Sequence, residues 1–244
     1  MKQKNRLDKL LVEYGYVDNV NKAKALIMSG KVLVNEKKVE KPGTKFQANV
    51  AIRLIKKSHD WVSRGGVKLD FALDELKLNV ENKVCADLGS STGGFTDVLL
   101  KKNAKHIYCV DVGKGLLDWK LLNNNKVTII ESTNVRNLFI DDICPKINFI
   151  TCDLSFISIT KALQKIVITS KKNIVILALI KPQFELSKDM IGKKGVVTNK
   201  DYRKVAIKKV SDWFKLKGWN NKKIVKSPIT GMAGNQEYFI YCEK

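Results

Sequence analysis

Hydrophobic positions follow two rhythms along the 244-residue chain. Between Arg6 and Ile55, Leu7, Leu10, Leu11 and Tyr14 recur at helical spacing, and Gly15 can stop that helix. After the turn YVDN, Ala23, Leu26 and Ile27 repeat the pattern, with Asn19 or Asn21 able to cap and Gly30 to close. The stretch KVLVNEKKV predicts a strand, a turn at Asn35-Glu36 and a second strand. Val50, Ile52 and Leu54 alternate as a half-buried third strand. About 55 residues is small for an independent core, so this region predicts an accessory module. KKSHDWVSR reads as a linker in which Trp61 can dock, and the boundaries taken are 1–57, a connection at 58–64, and 65–244.

From Gly65 onward strands and helices alternate. Candidate strands are Val84–Asp87, His106–Asp111, Lys126–Ile130, Phe149–Asp153 and Ile174–Ile180, with a final pair near Lys223–Ser227 and Tyr238–Cys242. Intervening stretches such as Gly94–Asn103 and Thr160–Ser170 are long enough for helices. This alternation predicts an α/β fold: a doubly wound parallel sheet with an antiparallel end, plus the small N-terminal α+β module.

Composition adds a partner. A net charge of +21 implies a polyanion, most simply nucleic acid. Residues 1–64 carry 15 Lys/Arg against 6 Asp/Glu, over twice the positive excess per residue of the remainder. The longest apolar run, Ile174 to Ile180, is far short of the roughly 20 residues that span a bilayer. MKQKNRLDKLL holds no signal-peptide core, and five cysteines without CxxC spacing suggest reduced thiols in a cytoplasmic protein.

The chemistry gathers at predicted strand ends. VCADLGSSTGGFTDVLL is a strand, a glycine-rich turn and a helix, in which Gly89, Gly93 and Gly94 let a ligand approach the backbone. Ser91, Thr92 and Phe95 complete that turn as candidate contacts, and Asp111 ends the next strand where ribose hydroxyls are held. The spacing is G-x-x-x-G-G, which lacks the second glycine that admits a pyrophosphate. Asp87 ahead of the first glycine suits a cationic or amino-bearing ligand, and S-adenosylmethionine is both. Asn134, after the third strand, is a candidate adenine contact. Asp153, Lys181 and Glu237 stand at strand ends, and Lys68 leads into a helical stretch that can reach the same rim. Two lysines and two carboxylates are thus available to one cleft.

Two resemblances follow. RLDKLLVEYGY…AKALIMSGKVLVN resembles the αL-type (S-four-like) RNA-binding module, with Asn21-Lys22 where such modules usually carry Ser-Arg. Arg6, Lys22, Lys24 and Lys31, with Arg64 beyond them, are the candidate RNA contacts. VSRGGVKLD, DLGSSTGGFTD, CDLSFIS, LIKPQFE, KKGVVT and SPITGMAGNQEY together resemble the TlyA (haemolysin A) family, which joins that module to an FtsJ-like methyltransferase domain. The resemblance implies a Rossmann-like class I methyltransferase fold and ribose 2′-O-methylation by a Lys-Asp-Lys-Glu tetrad, here Lys68, Asp153, Lys181 and Glu237. It also implies S-adenosylmethionine as cofactor and, as substrate, a cytidine of ribosomal RNA. The short chain is similar to the type acting on 23S rRNA alone, while longer members also act on 16S rRNA.

In this reading Lys181 orients or deprotonates the 2′-hydroxyl, Lys68 adds positive potential, and Asp153 and Glu237 position the lysines. No metal is required, and no His/Cys cluster offers one a site. Three rival readings exist. A base methyltransferase would present Asn/Asp-Pro-Pro-aromatic where the chain reads Asp153-Leu-Ser-Phe156, or a nucleophilic cysteine, and alternation turns Cys152 away. A membrane-active protein would need a spanning segment or a strongly amphipathic basic helix with an aromatic face, and the sequence shows neither. A non-catalytic RNA-binding protein has no need of these glycines and charges.

Overall fold

The computed structural model describes residues 4–55, 59–231 and 233–244. The boundary expected at residue 57, and Ser58 where the linker was expected to begin, lie outside the described residues. Two compact units result, Met1–Asp60 and Trp61–Lys244.

In the first unit, β1 (Lys4–Arg6) leads into α1 (Leu7–Glu13), followed by α2 (Val20–Met28) and short strands β2 (Val32–Val34), β3 (Lys37–Lys38), β4 (Lys45–Gln47) and β5 (Ile52–Leu54). Asn19 caps α2, its Oδ1 accepting the Lys22 amide hydrogen at 2.9 Å. Asn35 and Glu36 both adopt positive φ, as a two-residue hairpin turn between right-twisted strands demands. β2 pairs antiparallel with β3 on one side and β5 on the other. β1 and β4 form a second, polar pair that hydrophobic alternation does not reveal. The core is Leu7, Leu11, Ala23, Ile27, Val32 and Val34, while Tyr14, expected on the same apolar face, lies just past α1 and is 41% exposed.

The second unit begins with α3 (Arg64–Leu76), capped by Ser63, and continues β6 (Val84–Leu88), α4 (Gly94–Lys101), β7 (His106–Val110), α5 (Trp119–Leu122) and β8 (Val127–Ile130). Next come α6 (Ile140–Ile143), β9 (Phe149–Cys152), α7 (Ile159–Ala162), α8 (Gln164–Thr169), β10 (Val175–Ile180) and α9 (Pro182–Glu185). The chain closes with α10 (Lys200–Leu216), β11 (Asn220–Lys226) and β12 (Tyr238–Glu243). The stretch expected as one helix over 160–170 is therefore two short helices, meeting at Leu163.

The strand order is β11-β12-β10-β9-β6-β7-β8. The pairs from β10 through β8 are parallel, and β12 runs antiparallel to both of its neighbours. Alternate residues feed two cores, one on each face: Leu88, Ile150 and Ile176 in the first, Cys85, Phe149 and Leu177 in the second. Both faces being covered explains the unbroken apolar run of β10 and the complete burial of β9, Thr151 included. Connections reverse direction across the sheet between β6 and β9, the place where doubly wound sheets open a crevice at their strands' carboxyl ends.

The longest helix, α10, has no counterpart among the elements expected from the sequence. Asn199 caps it, and Ala206, Val210 and Phe214 bury one face at spacings of four. Phe214 meets Trp213 and Trp219 with ring centroids at 4.9 and 5.9 Å. Phe214→Ala should cost about 3–5 kcal/mol. Urea unfolding of the full chain reads this directly, and a loss under about 1 kcal/mol would contradict the packing described.

Candidate active site

β6 and β9 end level with one another, Leu88 opposite Cys152, and the chain leaves them through Gly89 and Asp153. Gly89 has φ +80°, and a Cβ there would stand 2.6 Å from the Asp153 carbonyl oxygen. Only glycine allows that turn and that approach together. Gly94 opens α4 against the start of α3, since a Cβ would meet Ser63 Oγ at 2.2 Å. Gly93 takes a different place from the one expected. It faces Leu117 and Leu121 and borders neither of the cavities at this edge.

Those cavities are two. One, of about 510 Å³, is bounded by Gly89, Ser91, Asp111, Leu116 and Asn134. The other, of about 550 Å³, is bounded by Lys68, Asp153, Lys181 and Glu237, with Arg64, Thr92, Gly94 and Phe95 also on its wall. They share Gly89, Ser91, Asp153, Ser155 and Phe156.

Asp111 shapes the first cavity. Its Oδ2 accepts the Ser91 amide hydrogen and its Oδ1 that of Gly113, both at 2.8 Å. The Asn134 Oδ1 accepts from the Arg136 amide at 3.0 Å. Asp87, expected to touch the ligand, is fully buried and lines neither cavity. Its oxygens accept from Thr96 Oγ1 at 2.7 Å and Thr151 Oγ1 at 3.0 Å. Burial pushes its pKa up to about 6 against those two hydrogen bonds, with the Asp153 charge adding to the rise. Asp87 is therefore held within the sheet by two threonines and stands on neither cavity wall.

The second cavity holds two ion pairs. Lys68 Nζ lies 2.6 Å from Glu237 Oε2, joining α3 to the start of β12. Lys181 Nζ lies 2.6 Å from Asp153 Oδ1 and donates to Ser155 Oγ at 2.8 Å, joining the ends of β10 and β9. All four charged side chains are largely buried, so each charge depends on its partner. Asn235 holds the loop before Glu237, accepting from the Val197 amide and donating to the Gly195 carbonyl, both at 2.8 Å. The expected tetrad residues thus border one cavity as two pairs.

Ser155 and Phe156 escaped sequence reading as site residues. Phe156 is 91% exposed at φ +66° and packs its ring 5.4 Å from Phe184. A phenylalanine in that backbone region is strained, and no periodicity signals it. Cys152 is fully buried, and desolvation raises its thiol pKa, which removes it as a nucleophile.

The candidate RNA contacts fare unevenly. Arg6 spends its guanidinium on buried Asp8, through Nε at 3.0 Å and Nη2 at 2.6 Å. Lys22 pairs with Asp18 at 2.6 Å on the surface. Lys24 is exposed and Lys31 half-buried. Arg64, in the second unit, is exposed and donates to the Thr230 carbonyl at 2.9 Å.

Residues 61–244 match the FtsJ-like methyltransferase family, and residues 5–52 match the S4 domain. The chain is 36% identical to the 16S/23S rRNA (cytidine-2′-O)-methyltransferase TlyA of Mycobacterium tuberculosis, over 99% of its own length and 90% of that protein's. It is 35% identical to the 23S rRNA (cytidine-2′-O)-methyltransferase TlyA of Campylobacter jejuni, over 91% and 92% of the two chains. A solved structure of a hemolysin-named protein from Streptococcus thermophilus aligns with a TM-score of 0.74 at 34% identity, covering all of this chain and 90% of that one.

Asp87 generates a prediction about pH. Its folded pKa of about 6 exceeds the ordinary 3.8, so the native state holds a proton that the unfolded chain releases between those values. The stability from that proton is complete below about pH 4 and gone above about pH 6. Asp87→Asn, which keeps the shape without the charge, should gain on wild type as pH rises from 5 to 7.5. The gain should be on the order of 1.4 kcal/mol, because about one pH unit separates the lower pH from the folded pKa. Thermal unfolding at both pH values tests this, and an equal difference at the two would refute it.

Proposed function

The chain belongs to the FtsJ-like methyltransferase family, and on that premise we propose that it transfers a methyl group from S-adenosylmethionine to the ribose 2′-oxygen of a cytidine in ribosomal RNA. The observation carrying this reading is Lys181 Nζ, fixed by Asp153 and Ser155 where the two cavities adjoin. We favour 23S rRNA as the target because that rRNA is common to the names of the M. tuberculosis and C. jejuni relatives.

The residues present fit the cofactor. The Asp111 carboxylate keeps lone pairs for ribose hydroxyls beyond the two amides it already binds. Leu116 offers apolar surface, and the volume of about 510 Å³ lies in the range of small-molecule sites. The first residues of α3 and α4 converge on the neighbouring cavity, and their amides favour an anionic group such as a carboxylate. S-adenosylmethionine, when bound, supplies a methyl carbon already activated by its positive sulfur.

The protein's task is therefore alignment and management of one proton. Lys181 Nζ lies 2.6 Å from Asp153 Oδ1 and donates to Ser155 Oγ, which fixes the nitrogen. As an ammonium it has no lone pair, so to act as the base it must first release a proton to solvent. The nitrogen would then take the 2′-hydroxyl proton as the oxygen attacks the methyl carbon, with the neutral sulfur as leaving group, and would end as the ammonium paired with Asp153. Lys68, held by Glu237, adds positive potential for the RNA backbone in the same cavity. Phe156 offers its exposed face to a cytosine base displaced from its stack, which gives the strained residue a use.

The first test is transfer from labelled S-adenosylmethionine to unmodified 50S and 30S subunits, with the modified atom mapped. A 2′-O-methylcytidine in 50S, reduced at least ~10³-fold by Lys181→Ala and not restored by Lys181→Arg, supports the reaction and the assignment. Methylation of a base atom, or near-normal turnover without Lys181, would overturn them respectively. Transfer confined to 30S would move the target to 16S rRNA. Phe156→Ala should lower kcat/KM for subunits by roughly 10- to 100-fold while cofactor affinity holds, since a lost stacking contact is worth ~1–3 kcal/mol. An unchanged kcat/KM would remove Phe156 from the site.

A further inference from the structure

We propose that Glu185 is a positioning residue for this transfer: its buried carboxylate latches the loop carrying Asp153, Ser155 and Phe156 to the turn carrying Lys181 and Phe184. The kinetic part of the inference rests on the reaction proposed above.

The chain leaving β9 and the chain leaving β10 run together from the cavity inward. Asp153 and Ser155 meet Lys181, then Phe156 meets Phe184, and finally Ser158 and Ile159 meet Glu185. The first contacts involve groups that must also meet substrate. Glu185 borders neither cavity and is 3% exposed. Its Oε2 accepts from Ser158 Oγ at 2.5 Å and its Oε1 from the Ile159 amide at 2.7 Å. Lys209 of α10 donates to the Glu185 carbonyl at 2.5 Å and places its ammonium 3.8 Å from Oε2.

A buried carboxylate is a costly way to fill space, because its charge must be compensated by hydrogen bonds. What it offers in return is direction. Two charge-assisted bonds from one planar group fix both a side chain and a backbone amide. The loop needs fixing. Phe156 sits in a backbone conformation that persists only where its surroundings over-determine it, and α7, at four residues, is too short to hold itself. Without the latch, the loop can relax at Phe156 and carry Asp153 and Ser155 away from Lys181.

The experiment compares wild type, Glu185→Ala and Glu185→Gln by acylation of native lysines, quantified residue by residue in the mass spectrometer. A glutamine can accept from the Ile159 amide through its oxygen and donate to Ser158 through its nitrogen, so it should hold the latch. In Glu185→Ala, labelling of Lys181 should rise several-fold while that of Lys68, paired across the cavity by Glu237, stays at the wild-type level; Glu185→Gln should return Lys181 to protection. A general loss of stability would expose both lysines together, and either that result or unchanged Lys181 labelling overturns the proposal. In turnover, Glu185→Ala should lower kcat on the order of 10²-fold, as expected for misplacement near 1 Å, with S-adenosylmethionine affinity unchanged. Glu185→Gln should recover most of it, and a normal kcat in Glu185→Ala overturns the positioning role. If wild type itself transfers nothing to a 2′-oxygen, the reaction reading fails and the lysine labelling still decides the latch. If Glu185→Ala does not fold, Ser158→Ala removes one of the two bonds and is read the same way.

Discussion

The close approach of Gly89 to the Asp153 carbonyl is the constraint around which the second unit is arranged. A side chain at residue 89 would collide with that oxygen at 2.6 Å, so β6 and β9 can end level only with glycine there. Because they end level, both cavities border the same two residues. Separating them by a bulkier turn would place a cofactor and an RNA ribose in different crevices. Methyl transfer needs donor carbon and acceptor oxygen within contact, so on the proposed function the shared wall is where the two would meet.

Around that point the fold spends buried charge with care. The protein is strongly basic, yet the two lysines at the cavity are each paired at 2.6 Å with a carboxylate from a different element. Removing either partner would strand an uncompensated charge at a cost of about 3–5 kcal/mol. Each pair therefore fixes position as well as charge: Lys181 binds the ends of β10 and β9, and Lys68 binds α3 to the segment that opens β12. Asp87 shows the alternative. It has two threonine hydroxyls and no cation, so its burial appears as a raised pKa.

Much of this was legible in the sequence, for identifiable reasons. The parallel strands were, because residues buried on both faces write continuous apolar runs, as in Ile174–Ile180. Charges directly after such runs were also legible, since a strand's end is set by its last apolar residue. Less visible was anything decided by turn geometry. Phe156 at positive φ, Ser155 beneath Lys181 and the Glu185 latch depend on how two loops meet, and no residue spacing encodes that. Asp87 and Gly93 share the glycine turn's sequence with true lining residues, yet the strand pleat and the helix start turn them inward. α10 had a readable signal in Ala206, Val210 and Phe214, diluted by the lysines among them. Arg6 illustrates the limit for charge: the sequence shows a cation, and only the structure shows its guanidinium already paired with Asp8.

The same distinction bears on what the net charge of +21 means. A cation paired with a carboxylate inside a cavity releases few counterions from RNA, so it adds little to the salt dependence of binding. Lys68 and Lys181 are in that class, and their effect is on the potential within the cavity. Exposed residues such as Lys24 and Arg64 are the ones able to hold phosphates, and their contacts would weaken as salt rises. On the proposed function, affinity for RNA and chemistry on its ribose would fall largely to different cations. Ionic strength should act on the first set strongly and on the second weakly, because a desolvated pair is little screened. Recognition is thereby free to be electrostatic and reversible while the reacting group stays fixed to within the geometry that an attacking oxygen requires.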